Sequence, residues 1–390
     1  MTGSAGNLFL VDGDGVPILT GTTRATFDLL QGGATVATGV YDYRLSPGAA
    51  NDGLYVGYGL NQINLMGSGA GALALNLTGA TLADMGARIV GTGDLAIDAG
   101  SGRTLSLSNL GNDYAGATDV RSGTLALANS GVLGRTLALV VRATAAADLR
   151  GHAQTVGKLV TEANSALNFN GGALTISDAQ RSPGDASGGA IESNTLFGGG
   201  SLALASSTLP INGPQLGFTG DVHATGGSQV LVNAANALEN AGAVNLAGAD
   251  DTLTFGNLSG YDAAWTAIPH GATRVRIVGG GRVEVIDGAD VTLTADHTYT
   301  GGTRIGGASV LRLGDGGTSG SIAGNVARCV RSAAARCSWM GKIRLKAACI
   351  WTRASWLLVM IRRWAPAPLR WRKARRWTSS ATAPSPMRSR

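Results

Sequence analysis

Few residues of this chain stand where they could do chemistry. Gly184-Asp-Ala-Ser-Gly-Gly189 offers a serine near a carboxylate in glycine-rich text. A nucleophilic serine needs oxyanion donors at fixed spacing and a histidine base oriented by a carboxylate. The alanine between Asp185 and Ser187 breaks a Gly-Asp-Ser-Gly-Gly spacing, so Asp178 to Gly189 reads as a Ser/Gly/Pro loop between two strands. His152 has no carboxylate or nucleophile in a recognisable arrangement with it and reads as a turn histidine. Val11-Asp-Gly-Asp-Gly15 could turn two carboxylates towards a hard cation, but calcium takes six or more oxygens, and a plain β-turn is expected. Asp250-Asp251 and the sparse arginines do not recur on one face, as the paired carboxylates of a sugar-cleaving enzyme would. Gly67-Ser-Gly-Ala-Gly71 and Gly198 to Gly200 do not join a strand to a helix, as a phosphate cradle must. Cys329, Cys337 and Cys349 lack paired metal-ligand spacing. No catalytic, cofactor-binding or metal-binding residue is assigned, and no cofactor is expected.

The stretch that organises the chain is Gly91 to Gly134. Leu95 and Ile97, Leu105 and Leu107, Val120 beside Thr118, and Leu125 and Leu127 alternate with small or polar residues, the period of half-buried strands. Gly100-Ser-Gly102, Gly111-Asn-Asp113 and Arg121-Ser-Gly123 supply the turns between them. Such a unit is apolar on one side only and must stack on copies of itself. A second copy runs from Gly279 to Gly320, 185 residues on (299 − 114 = 185): Tyr114-Ala-Gly-Ala-Thr-Asp-Val matches Tyr299-Thr-Gly-Gly-Thr-Arg-Ile. A looser third copy, within residues 213–232, is Phe218-Thr-Gly-Asp-Val leading to Gln229-Val-Leu-Val. Each keeps an aromatic residue two before a glycine, as a ring over a bare backbone position would require.

The two better copies resemble the strand repeat of bacterial autotransporter (type V secretion) passenger domains, Tyr-x-Gly-x-Thr-x-Val/Ile followed by Gly-x-Leu-x-Leu. Gly151-His-Ala-Gln-Thr-Val-Gly-Lys-Leu159 is similar to a segment such passengers often carry. Leu10-Val-Asp-Gly-Asp-Gly, Ala25-Thr-Phe-Asp-Leu, Gly39-Val-Tyr-Asp-Tyr-Arg-Leu45 and Gly53-Leu-Tyr-Val56 resemble the closing strands of a pertactin-like module. The resemblance covers about residues 8 to 326 and implies an all-β fold, a right-handed parallel β-helix. Residues 1–66 then end a pertactin-like module, and residues 67–326 form the repeat-bearing β-helix. With about 20 to 25 residues per turn and about 4.8 Å per rung, about 13 to 16 rungs and a rod of about 60 to 80 Å are expected. Tyr41, Tyr43, Tyr55 and Tyr58 could form an outward carbohydrate platform, although strand packing is the commoner use of aromatics in strands.

Composition divides the chain near residue 327. Residues 1–326 hold all 25 acidic and 15 of 31 basic residues, a balance of 15 − 25 = −10, whereas residues 327–390 hold 16 basic and no acidic residue. All three cysteines and six of seven tryptophans lie in that tail, and 59 of 60 glycines lie before it. A cysteine-free body suits a chain that crosses a periplasm before it folds. The tail has no β alternation and no turn glycines, and its Arg/Ala/Trp/Ser/Pro/Cys alphabet is what a GC-rich repeat yields out of frame. It is expected to be an irregular, disordered or non-native frameshift product. Its rival uses are nucleic-acid binding through cations and stacking rings, or contact with an anionic membrane surface. Ala347 to Ile361 is too short, and interrupted by Arg353, to span a bilayer.

No basic n-region or apolar h-region opens the chain, and the first recognisable text resembles the end of a module, so an internal start within a longer gene is expected. The resemblance implies a truncated, non-enzymatic adhesin that mediates attachment or self-association at the cell surface, in the outer membrane or outside the cell. Its implied partners are host or bacterial surface proteins or carbohydrates, further copies of itself, and an outer-membrane β-barrel in the parent protein. Without export signal and barrel, export of this piece by itself is not expected. The different-class alternative is a β-helix lyase or glycosidase.

Overall fold

A computed structural model describes residues 10–11, 17–18, 23–46, 55–181, 184–234, 236–256, 275–306, 309–313 and 322, together with four short strands beyond them. The described body is an all-β, right-handed parallel β-solenoid. Three faces wind around one core. The long face is a twelve-stranded parallel sheet running from Leu73–Asn76 to Cys329–Arg331. The second face is a six-stranded parallel sheet from Leu82–Met85 to Leu196–Phe197, and is taken up again by Asp290–Leu293 and Val310–Leu313. The third face holds Arg88–Gly91 and Asp113–Tyr114, then a six-stranded sheet from Ala153–Val156 to Arg276–Gly279.

The strands exist because one residue in two has somewhere apolar to go. Ile97, Val120, Val141, Thr161 and Ile191 stack in register on successive rungs of the long face, all of them buried. Leu105, Leu125, Ala147, Leu167 and Leu196 do the same on the second face. On the third face the column is Leu174, Leu202, Val222, Val244 and Ile277. Each fully buried aliphatic side chain contributes about 1.5–3 kcal/mol by leaving water. The four alternating pairs expected in residues 91–134 all sit in strands with their aliphatic side chains at most 3% exposed. Two local expectations change: Asp113 belongs to strand Asp113–Tyr114, and Arg121 and Ser122 belong to strand Thr118–Ser122, which bulges after Val120, so that Gly123 alone turns that corner at φ +73°.

The rod is shorter than expected. Twelve strands give eleven spacings (12 − 1 = 11), about 53 Å at about 4.8 Å each. Two causes are visible. The step from rung to rung is 20 residues between Ala138 and Lys158 but 30 between Leu159 and Gly189 and between Thr252 and Arg282 (189 − 159; 282 − 252). In addition, Thr23–Gln31, Ala34–Ser46 and Tyr55–Leu65 are not parallel rungs but an antiparallel meander. Gly32 and Gly33, at φ +59° and +82°, make the two-residue turn whose twist suits a hairpin. The last strand of this meander then pairs parallel with Arg88–Gly91, so the meander closes the solenoid with Val36, Ala37, Ile63 and Leu65 buried beneath it.

Gln31 finishes that closure. Its Nε2 donates to the carbonyl oxygen of Ala74 (2.7 Å), and its Oε1 accepts from the Ala74 amide (2.9 Å). One amide side chain thereby satisfies backbone groups on the first strand of the long sheet, where an open edge would invite pairing. Past residue 326, the described residues are four short strands. Cys329–Arg331 and Arg336–Trp339 continue two of the sheets, and Cys349–Arg353 pairs antiparallel with Trp356–Met360. The remaining tail residues, including 361–390, lie outside the described residues. No helix among the described residues is long and apolar enough to cross a membrane.

Candidate functional site

The residues that could have done chemistry are held by structural tasks. Asp185 Oδ1 accepts from the Ser187 amide (3.0 Å), and Ser187 Oγ accepts from the Gly189 amide (3.4 Å), so both side chains cap their own loop. Lys158 Nζ lies 2.7 Å from Asp185 Oδ2, and this bond, followed by the Ser187 amide, holds the carboxyl below its usual range. Arg181 anchors the same loop from inside. Only 7% exposed, its guanidinium donates to the carbonyl oxygens of Gly157, Asp185 and Ser206 and to Ser207 Oγ. Asp251 is fully buried and accepts three backbone amides, those of Gly227, Ser228 and Gly248, at 2.7–2.9 Å. A carboxylate so satisfied is a corner staple. His152 stands in the turn where its own amide donates to Leu149 O (2.8 Å). No group of three or more His, Cys, Asp or Glu that could hold a metal ion occurs among the described residues. Asp12 and Asp14 lie outside them, as do the side chains of Tyr43, Tyr55 and the three cysteines.

The Tyr-x-Gly-x-Thr repeat is a polar plug in the core. Tyr114 is fully buried, with its hydroxyl 2.7 Å from Thr118 Oγ1, which lies 2.8 Å from Thr136 Oγ1. Thr136 donates to Gly116 O (2.8 Å). Since a carbonyl can only accept, the chain of protons runs from Tyr114 through Thr118 and Thr136 to Gly116. Burial pushes the Tyr114 phenol up to about 12, so it remains a neutral donor. Tyr299 repeats the contact with Thr303 Oγ1 at 2.5 Å. In the third copy Phe218 lacks a hydroxyl, and Val222 stands where the threonine would be. Phe218 packs on Phe169 with ring centroids 5.1 Å apart. That copy is also out of phase, since Val222 lies on the third face, whereas Thr118 and Thr303 lie on the long face.

The glycine of the motif serves close backbone approach more than ring packing. A Cβ on Gly116 would lie 2.0 Å from Gly93 O on the rung below, and one on Gly301 would lie 2.5 Å from Gly281 O. The duplication also begins earlier than the repeat text suggests. Arg88-Ile-Val-Gly91 recurs as Arg276-Ile-Val-Gly279, each a third-face strand with the same burial pattern. Gly91 and Gly279 share φ values of +100° and +101°, and each faces an Asn-Leu pair, Asn64-Leu65 or Asn245-Leu246. Comparing text upstream of the tyrosines would have found this.

The outer side of the long face carries a continuous column of side chains. Its central column opposite the core runs Asp119, Val140, Val160, Ala190 in register, and continues on the next rungs with Pro210 and Leu231, then Thr254, which is buried, and Glu284 and Arg304. Five successive rungs therefore point an apolar, half-buried residue outward. Charges bracket the stripe. Asp119 lies 3.0 Å from Arg121 and 2.8 Å from Arg142, and Arg142 reaches Glu162 at 2.8 Å. The two carboxylates hold the Arg142 guanidinium above its ordinary range, and the Ala143 amide and then Arg142 hold Glu162 below its own. At the other end Glu284 is shared by Arg282 (3.3 Å) and Arg304 (3.5 Å). On the meander, Tyr41 packs edge-on against Phe27, and Tyr58 is 74% exposed. Tyr41 and Tyr58 thus face outward in part, with rings tilted 56° to each other.

No family model matches the chain, and no solved structure matches it. Two curated proteins of Escherichia coli strain K12 do. The chain is 45% identical over 205 residues to "Uncharacterized protein YuaQ", covering 52% of this chain and 14% of that protein. It is 34% identical over 316 residues to "Uncharacterized lipoprotein YdeK", covering 80% of this chain and 21% of that protein. The chain therefore spans only about a seventh to a fifth of the length of these relatives.

Proposed function

We propose that the chain is part of a pertactin-like autotransporter passenger, a non-enzymatic scaffold that mediates attachment or self-association through an extended face. The observation that carries this reading is the stripe of Val140, Val160, Ala190, Pro210 and Leu231 on the outside of the long sheet. An unbroken outward apolar stripe bracketed by charge supports an interaction surface. Four rung spacings make it about 19 Å long, smaller than the about 800 Å² per partner of a stable interface once given a strand's width. Single contacts are then weak, and many copies on one surface multiply them. A relative named as a lipoprotein supports an envelope destination for this chain too.

The test displays the full chain on bacteria, fused to an outer-membrane barrel, and scores clumping and attachment to protein-coated and polysaccharide-coated surfaces. Attachment or clumping above that of the empty barrel is expected. Release of reducing ends from a polysaccharide by the purified chain, without attachment, would replace this reading with a β-helix carbohydrate enzyme.

A further inference from the structure

Two asparagines of the chain stand in Asn-x-Ser/Thr text without proline in the middle, Asn76-Leu-Thr78 and Asn257-Leu-Ser259. The first tripeptide begins on the last residue of strand Leu73–Asn76, and the second follows shortly after strand Thr252–Phe255, both strands of the long sheet. Residues 257–259 lie outside the described residues, whereas Asn76 to Thr78 are described. The Asn76 side chain is exposed and makes no hydrogen bond among the described residues. Asparagines on later rungs are committed. The side-chain amides of Asn109, Asn112, Asn129 and Asn240 donate to carbonyl oxygens of neighbouring rungs at 2.7–2.8 Å.

The backbone around Asn76 is held while the two polar side chains of the tripeptide stay free. Leu77 is half-buried, and its carbonyl oxygen accepts from the Arg103 guanidinium. Thr78 is exposed, and Gly79 takes φ +82° with open space where a Cβ would stand. That freedom matters to one reaction. A carboxamide nitrogen is a weak nucleophile because its lone pair is delocalised into the carbonyl, so an enzyme that uses it must turn it out of conjugation. It must also reach the hydroxyl two residues on, by which such an acceptor is recognised.

We propose that Asn76 is an acceptor for N-linked glycosylation, recognised through Thr78, with a sugar activated by a phosphate ester at its anomeric carbon as donor. A bond forms between Asn76 Nδ2 and the anomeric carbon. The carbon–oxygen bond to the phosphate breaks, its electron pair leaving with the phosphate, and one Nδ2 proton passes to a base of the transferase. The site does not depend on the adhesive reading.

The test is peptide mapping by mass spectrometry of the full chain purified from the cells that make it naturally. A sugar on the peptide that contains Asn76 is expected: a single hexose where the donor is a soluble sugar nucleotide, an oligosaccharide where it is lipid-linked. Thr78→Ala should lose the sugar and Thr78→Ser should keep it. Asn76 without sugar in the wild-type chain would overturn the proposal, even if a variant fails to fold. So would a sugar on Asn76 that survives Thr78→Ala.

Discussion

At the scale of single residues, the buried polar groups are wired in one direction, and the wiring ranks their substitutions. Tyr114→Phe removes only the first donor, leaving Thr118 still donating to Thr136. Thr136→Val leaves the Thr118 hydroxyl proton without an acceptor, while the Gly116 carbonyl keeps the Leu137 amide (3.1 Å). We expect about 1 kcal/mol lost for Tyr114→Phe and about 2 kcal/mol for Thr136→Val, read as shifts of the urea midpoint at unchanged slope. The reverse order would show that the hydroxyls are not ordered this way. In the third copy Phe218 and Val222 replace both members of the hydrogen-bonded pair, and Phe218 packs on Phe169 instead. His297 gives a second prediction. Burial depresses its pKa from the ordinary 6.5 to about 4, with Asp296 opposing in part, so the folded state resists protonation. Stability from this group is complete above pH 6.5 and is lost as pH falls towards 4, by about 3 kcal/mol in all. The part due to His297 is the slope that disappears in His297→Phe, and an unchanged slope between pH 4 and 6.5 would contradict the assignment.

At the scale of strands and corners, glycine does two different jobs that the sequence writes with the same letter. Gly102 sits at φ +70° in open space, so Gly102→Ala should cost about 1 kcal/mol for backbone strain alone. Gly116 faces the carbonyl of Gly93 at a distance no Cβ can tolerate, and Gly116→Ala should cost several times as much by forcing two rungs apart. Thermal melts of the two variants distinguish the jobs, and equal losses would remove the close-approach account. The strands themselves were legible, because Leu95, Ile97, Leu105 and Leu107 alternate as half-buried strands must. Their partners were less so. Alternation is the same for parallel and antiparallel pairing, so Ala25-Thr-Phe-Asp-Leu and Gly39-Val-Tyr-Asp-Tyr read as solenoid strands although they pair antiparallel in the meander. Phase was hidden for a related reason: Phe218-Thr-Gly-Asp-Val has the letters of the repeat but enters the third face, and nothing local marks which face a strand joins.

At the scale of the whole molecule, a parallel solenoid turns a short sequence period into long columns of side chains. The inward columns could be anticipated from periodicity, since apolar residues inside are what any stacked strand requires. The outward stripe could not. Val140, Val160, Ala190, Pro210 and Leu231 are separated by 20, 30, 20 and 21 residues, and only the register of the long sheet shows that they align. The buried roles of Arg181 and Asp251 were equally illegible, because their partners are backbone groups from neighbouring rungs, which have no side-chain signature. The central claim, that this outer stripe carries the interaction, is tested most directly by light scattering of beads coated with the full chain. Val160→Asp with Leu231→Asp places two charges in the stripe, while Leu110→Asp places one at a leucine already 71% exposed elsewhere. The account predicts that the double variant lowers bead clustering by about tenfold or more while Leu110→Asp leaves it unchanged, a loss of about 1.4 kcal/mol or more per contact. Clustering that survives in the double variant, or that falls equally in both, would contradict it.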